Sequence, residues 1–282
     1  METCGGHTVA VNAATAILAY DVTETATIAV QVAVAGSAEQ ESLSATVDGT
    51  AVEVASIAET DDPLNGPTQL VSARAGRLLL TYTMERNGTG AAAPAPNLRD
   101  RIQAVLPSRY CPSDRLTGYA ARFRGGGDLA TVQRIVAEVH DSLVYDGAAS
   151  GPTTDAVDTL LAGRGVCRDY AHLTVALCRA VDVPARVVAV YAPGLSPMDF
   201  HLVAETAVDG AWLVWDATRL APRSSLLRVS TGRDAADVAF GTVLTGAATL
   251  TDLTVTAVAD GALPDDDHEC PVILGAHAET QG

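Results

Sequence analysis

The chain contains no lysine: all eighteen of its basic residues are arginine. Codon bias in a GC-rich genome accounts for this, and it leaves the chain without an ε-amine of its own to modify. Positive charge is scarce altogether, since 34 acidic residues give a formal net charge of −16. Nucleic-acid binding needs a basic face, and attraction to an anionic membrane surface needs basic clusters, so neither partner is expected. No apolar run approaches the ~20 residues of a membrane span. The opening "METCGGHTVAVNAATA" lacks the basic start and compact apolar stretch of a secretion signal, so a cytoplasmic location is the expectation. Aromatic residues make up only 4%, yet 48% of the chain is hydrophobic, which is ample for a globular core.

Cysteine is also sparse. Cys4, Cys111, Cys167, Cys178 and Cys270 are odd in number and form no Cys-x-x-Cys pair. This is the pattern of a reduced protein rather than a disulfide scaffold. Cys4 with His7, and His268 with Cys270, do not have a usual zinc-ligand spacing. Neither a metal nor a cofactor is expected.

The patterning changes along the chain. In "ATIAVQVAV", Ile28, Val30, Val32 and Val34 share one face of a period-2 strand. "SATVDGTAVEV" reads as a hairpin turning at Asp48-Gly49, and "GRLLLTYTME" as a further strand. "NGTGAAAPAPN", from Asn87 to Asn97, breaks the periodicity as a linker does. Residues 1–86 are thus expected to form a β-sandwich-like domain and 87–127 a connecting segment. From 128 the period becomes helical: Leu129, Val132, Ile135, Val136, Val139 and Leu143 form a stripe, with Asp128 as the N-cap. A shorter helix over about Thr154–Leu161 stops at Gly163, and a long one follows from near Val166 to before Pro184. Strand-like segments come next, at Ala185–Tyr191, His201–Val208 and Ala211–Thr218, with further strands in the tail. Residues 128–282 therefore read as an α+β domain in which helices pack on an antiparallel sheet.

Cys167 lies at the mouth of the long helix, just after Gly163 and Gly165. Free backbone N–H groups and the positive end of the helix dipole favour negative charge on a sulfur placed there. The same N–H groups suit an oxyanion. Cys178, eleven residues further on among Ala176, Leu177 and Val181, reads as core. A nucleophilic thiol needs a histidine and a group that orients it. His140 and His172 fall within helices, and His7, His268 and His277 near the termini. His201 opens a strand. Asp209-Gly210 is a two-residue hairpin signal that pairs Val208 with Ala211. In that register His201, Val203, Asp216 and Thr218 share a sheet face. His201 and Asp216 are then diagonal neighbours, roughly 7–8 Å apart at the backbone.

The ordered string "GRGVCRDYAHLTVALCRAVDVPARVVAVY…DFHLVAE…WLVWDAT" resembles the transglutaminase-like superfamily of papain-type cysteine enzymes. Gly165, Cys167, Asp169, Ala171, Pro184, Ala185, Arg186, His201, Glu205, Trp215, Asp216 and Thr218 carry the resemblance, over roughly 128–218. One position departs from it: Val203 stands two places after the histidine, where members often have an aromatic. The sandwich-like front third resembles the N-terminal module of bacterial members. The resemblance implies a Cys167–His201–Asp216 triad that cleaves or transfers a peptide or carboxamide acyl group through a thioester, as a cysteine protease or amidase acting on a peptide or protein substrate. The alternative it leaves is a non-catalytic transglutaminase-like module that binds peptide or protein. Asp169 is expected to stabilise the helix start, and Trp212 and Trp215 to fill the core. No side-chain oxyanion donor upstream of Cys167 is evident.

Overall fold

In the computed structural model, which describes residues 11–57 and 64–275, the period-2 stretches of the front third become strands. They are β1 (Val11–Val30), β2 (Gln40–Val47), β3 (Thr50–Val52), β4 (Val54–Ile57), β5 (Thr68–Ala73) and β6 (Gly76–Asn87). The β2–β3 hairpin turns at Asp48 and Gly49, both at positive φ, and pairs Val47 with Thr50. The long β1 serves two neighbours in turn. Its first half pairs with β6, from Val11–Asn87 to Val22–Gly76, and its second half with β5, from Ala26–Ala73 to Val30–Gln69. Alternate residues of β6, at 78, 80, 82 and 84, are buried, so one face of the sheet is committed to a core. Leu18, Ile28, Leu78 and Leu80 are fully enclosed there. Each such side chain contributes roughly 1.5–3 kcal/mol by leaving water.

The helical part follows as α1 (Leu98–Gln103), α2 (Thr117–Ala120), α3 (Gly127–Ser142), β7 (Val144–Tyr145), α4 (Ala156–Ala162), β8 (Arg164–Gly165) and α5 (Cys167–Ala180). The apolar stripe of α3 is buried at Val132, Ile135, Val136 and Val139. Its N-cap is Gly126, at φ 71°, and not Asp128. The glycine supplies a left-handed conformation that the periodicity does not reveal, and Asp128 sits instead in the first turn, where a carboxylate meets the helix dipole. Asp155 caps α4 by accepting from Val157 and Asp158 N–H at 2.8 and 2.9 Å, and Gly163, at φ 63°, ends it.

A second, antiparallel sheet is ordered β11-β10-β9-β12, from β9 (Ala185–Tyr191), β10 (His201–Val208), β11 (Ala211–Trp215) and β12 (Leu227–Gly232). Helix α5 is buried almost throughout and lies on this sheet, with Leu173 and Leu177 in one core with Val187, Ala204 and Leu213. Helices on an antiparallel sheet, behind a β-rich front part, give the α+β class expected from the sequence. Cys111, in the segment with no evident chemical role, is fully enclosed in the same core.

The last strand, β13 (Gly241–Ala259), does not join the sheet of the helical part, with which the sequence reading grouped the tail strands. It runs antiparallel along the other edge of β1, from Asn12–Ala259 to Val30–Gly241, as the seventh strand of the front sheet. Alternation marks a strand but not its partner, and the bare edge of β1 supplies one. The two sheets also share a core, since Tyr191, Leu227 and Val229 pack among the buried residues of the front sheet. The Tyr191 hydroxyl donates to Val32 O at 2.8 Å. Cys111, Cys167 and Cys178 carry free thiols and Cys270 is disulfide-bonded, where the sequence reading took all five as reduced. The candidate pair Cys4 and His7 lies outside the described residues. No described helix is long and apolar enough to cross a membrane.

Candidate active site

Asp209 and Gly210 turn the β10–β11 hairpin with φ of 50° and 80°. Two consecutive positive φ values match the twist of the flanking strands. The turn sets the register: Val208 pairs with Ala211, and Ala204 with Trp215. His201, at the start of β10, pairs on its other side with Val190 of β9. Asp216 follows directly after β11.

His201 Nε2 lies 2.9 Å from Asp216 Oδ2, and both residues are only 2% exposed. Thr218 donates to Asp216 Oδ1 twice, from its backbone N–H at 2.9 Å and its hydroxyl at 2.7 Å. Both carboxylate oxygens therefore have donors. Burial alone would raise the Asp216 pKa, but the charge and hydrogen bond of His201, with the Thr218 bonds, hold it below the ordinary carboxylate value. Burial likewise disfavours a charged His201, yet the carboxylate of Asp216 and the neighbouring thiol outweigh it and push its pKa up to about 10. The two side chains form a buried ion pair.

With Nε2 committed to Asp216, Nδ1 is the nitrogen left over. It is buried without a settled partner, and the Cys167 thiol is the group within reach of the ring. The sulfur itself rests 3.9 Å from Phe200 O. The structure thus brings together all three residues that the sequence singled out.

Cys167 is held at the head of α5 by its neighbours. Asp169 Oδ2 accepts from the Val166 N–H at 2.8 Å, closing the first turn as expected. A Cβ on Gly165 would lie 2.6 Å from the Asp169 Cβ and 2.7 Å from its Oδ2, so that position has no room for a side chain. β7 runs parallel to β8 and pairs Tyr145 with Gly165. This places the Tyr145 phenol against the Cys167 backbone N–H, and burial pushes the phenol pKa up to about 12. Sequence reasoning missed Tyr145. A tyrosine closing an apolar stretch after a helix carries no mark of its own, and only the β7–β8 pairing brings it to the thiol.

The remaining candidates have structural surroundings. Cys178 is fully enclosed, and burial raises its pKa to about 12. His172 is buried, accepts from Ala235 N–H at 3.1 Å and stacks on Tyr110. His140 Nδ1 meets Ala217 O at 3.0 Å. Trp215 donates to Thr206 Oγ1 at 2.8 Å within the core. Glu205 shares the sheet face of His201 but is held by Arg186, at 2.6 and 2.8 Å, and by Arg228. No cluster of three or more His, Cys, Asp or Glu suited to a metal occurs among the described residues.

Residues 117–217, which hold all three site residues, match the family model of the transglutaminase-like superfamily. A candidate cysteine protease from Cytophaga hutchinsonii shares the fold over 95% of this chain and 97% of its own, with a TM-score of 0.82 and 27% identity. About a third of the chain, the part that holds the site, is thus similar to the transglutaminase-like superfamily. An uncharacterized protein of Mycobacterium leprae is 29% identical to this chain over 154 residues. That match takes in 50% of this chain and 54% of the mycobacterial one, about half of each. The periplasmic domain of TgpA from Pseudomonas aeruginosa is more distant, at 19% identity and a TM-score of 0.41, over 70% of this chain and 91% of that one.

Proposed function

We propose that this transglutaminase-like chain is a thiol acyl-transfer enzyme that hydrolyses a peptide or carboxamide bond, a cysteine protease or amidase. The observation that carries the reading is the buried His201–Asp216 pair, whose free Nδ1 faces the Cys167 thiol. The 27% identity to a candidate cysteine protease, over nearly the whole of both chains, supports the same general kind of chemistry.

In this mechanism the thiol proton already rests on His201 Nδ1, and the Cys167 sulfur attacks the substrate carbonyl carbon as a thiolate. The oxyanion meets the positive end of the α5 dipole. As the C–N bond breaks, His201 passes its proton to the departing nitrogen, leaving a thioester on Cys167. Water then attacks the thioester and gives a proton to Nδ1. The acid leaves, and the sulfur returns to a thiolate beside the protonated ring. Asp216 keeps Nε2 protonated throughout and offsets the charge that forms on the ring.

Alkylation by iodoacetamide at neutral pH, mapped by mass spectrometry, tests the nucleophile. Cys167 labels well ahead of Cys111 and Cys178, and His201→Ala slows it by at least tenfold. A peptide and glutamine-donor panel, with and without added amine, tests the reaction. Equal labelling in the wild type and His201→Ala, together with turnover that survives Cys167→Ser, would refute the proposal.

A further inference from the structure

A cavity of about 460 Å³ opens at the end of the second sheet away from the thiol. In the β9–β10 ladder, His201 pairs with Val190 and Glu205 with Arg186. Four residues of strand separate these pairs, roughly 13 Å. The cavity is bounded by Asp100 and Gln103 of α1, Arg186, Trp212, Arg233 and Asp237, among others. It belongs to no part of the mechanism above.

Its walls hold polar groups of both signs whose bonding is incomplete. Arg186 spends Nε and Nη2 on a single oxygen of Glu205, at 2.8 and 2.6 Å. Glu205 is also the carboxylate for the buried Arg228, so two enclosed guanidinium groups share one acid. The Arg186 guanidinium lies over the Trp212 ring, with Cζ 3.7 Å from its centre. Trp212 Nε1–H is buried without an acceptor. A buried donor left unpaired is unfavourable, and this one sits at the cavity wall beside a cation. Asp100, also in the lining, accepts from Asn97 N–H at 3.0 Å on Oδ2, and its Oδ1 is uncommitted. Asp237 is fully engaged, with both oxygens on Arg233 at 2.8 and 3.0 Å.

We propose that this cavity binds a small zwitterion, a free amino acid or a short peptide, with its carboxylate on Arg186 and Trp212 and its ammonium toward Asp100. A simple anion would answer the two donors but set its charge near Asp100 in a chain already at −16. A simple cation would face Arg186 and Arg233. A molecule with both termini satisfies both sides, and the volume lies within the range of small-molecule sites.

The test is a calorimetric and tryptophan-fluorescence titration of the full chain with glycylglycine, acetate and ethylammonium, after Cys167 has been blocked by alkylation. Glycylglycine binds at least tenfold more tightly than either single-charge probe. Trp212→Phe keeps a ring beneath Arg186 but removes the N–H, and Asp100→Asn keeps an oxygen for the α1 cap but removes the charge. Each weakens glycylglycine at least tenfold. Three results would overturn the proposal: no binding at 10 mM, acetate binding as well as glycylglycine, or unchanged affinity in folded Asp100→Asn. Because the thiol is blocked throughout, failure here leaves the acyl-transfer reading untouched.

Discussion

Replacing Asp216 by Asn removes the charge but keeps the size of the group that holds His201. In the wild type, burial alone would drive His201 below the ordinary imidazole pKa, and the Asp216 carboxylate at 2.9 Å reverses this, to about 10. In Asp216→Asn the largest opposing contribution is gone and burial outweighs what the neighbouring thiol supplies, so the His201 midpoint falls below 6.5. Each tenfold change in proton affinity corresponds to ~1.4 kcal/mol, so the difference is on the order of 5 kcal/mol of interaction with the protonated ring. Two readouts follow. Histidine NMR shows His201 protonated up to about pH 10 in the wild type and neutral at pH 7.5 in the variant. Turnover at pH 7.5 drops by about 10³-fold or more, because the ring loses both its charge partner and its fixed tautomer. The effect on stability has a definite sign. A raised histidine pKa stabilises the fold below about pH 6.5, and that contribution is lost as pH rises through about 10; the lowered Asp216 pKa stabilises it above about 4 and is lost as pH falls. Wild-type stability thus declines between pH 7 and 10.5, and this decline disappears in Asp216→Asn. An unchanged His201 midpoint in the variant would refute the argument.

Other perturbations have separate outcomes. Gly165→Ala drives a methyl into Asp169, destabilises the head of α5 by roughly 1–3 kcal/mol, and lowers both the melting temperature and the Cys167 alkylation rate. Glu205→Ala leaves Arg186 and Arg228 buried without their carboxylate and costs about 3–5 kcal/mol in denaturant unfolding. Thr218→Val takes away one of the two donors on Asp216 Oδ1 and reduces turnover by roughly tenfold with the fold intact, as a kcat loss at constant KM.

Much of the site was legible because short-range rules govern it. The Asp209-Gly210 turn alone fixed the register that makes His201 and Asp216 neighbours, and the Gly-rich entry to an apolar helix marked Cys167. The environment of Glu205 was harder to read: Arg228, its second cation, lies on a strand whose place in the sheet no local pattern specifies. Tyr145 was invisible for a similar reason, since a two-residue parallel bridge carries no periodicity. The cap of α3 was misplaced by two residues because Gly126 competes with Asp128 through backbone freedom rather than side-chain chemistry. The largest gap concerned β13, whose alternation was plain but whose partner lies more than two hundred residues earlier.

That pairing of β13 with β1 has a bearing on biosynthesis. Val30, the last residue of β1, is made 211 residues before Gly241 of β13. At about 5–20 residues per second the interval is on the order of 10–40 s. Throughout it, one side of β1 has open hydrogen-bonding positions inviting any other nascent strand. The front sheet can close only after residue 259 has emerged, so termination between Gly232 and Gly241 leaves all four strands of the second sheet made and the front sheet without its seventh.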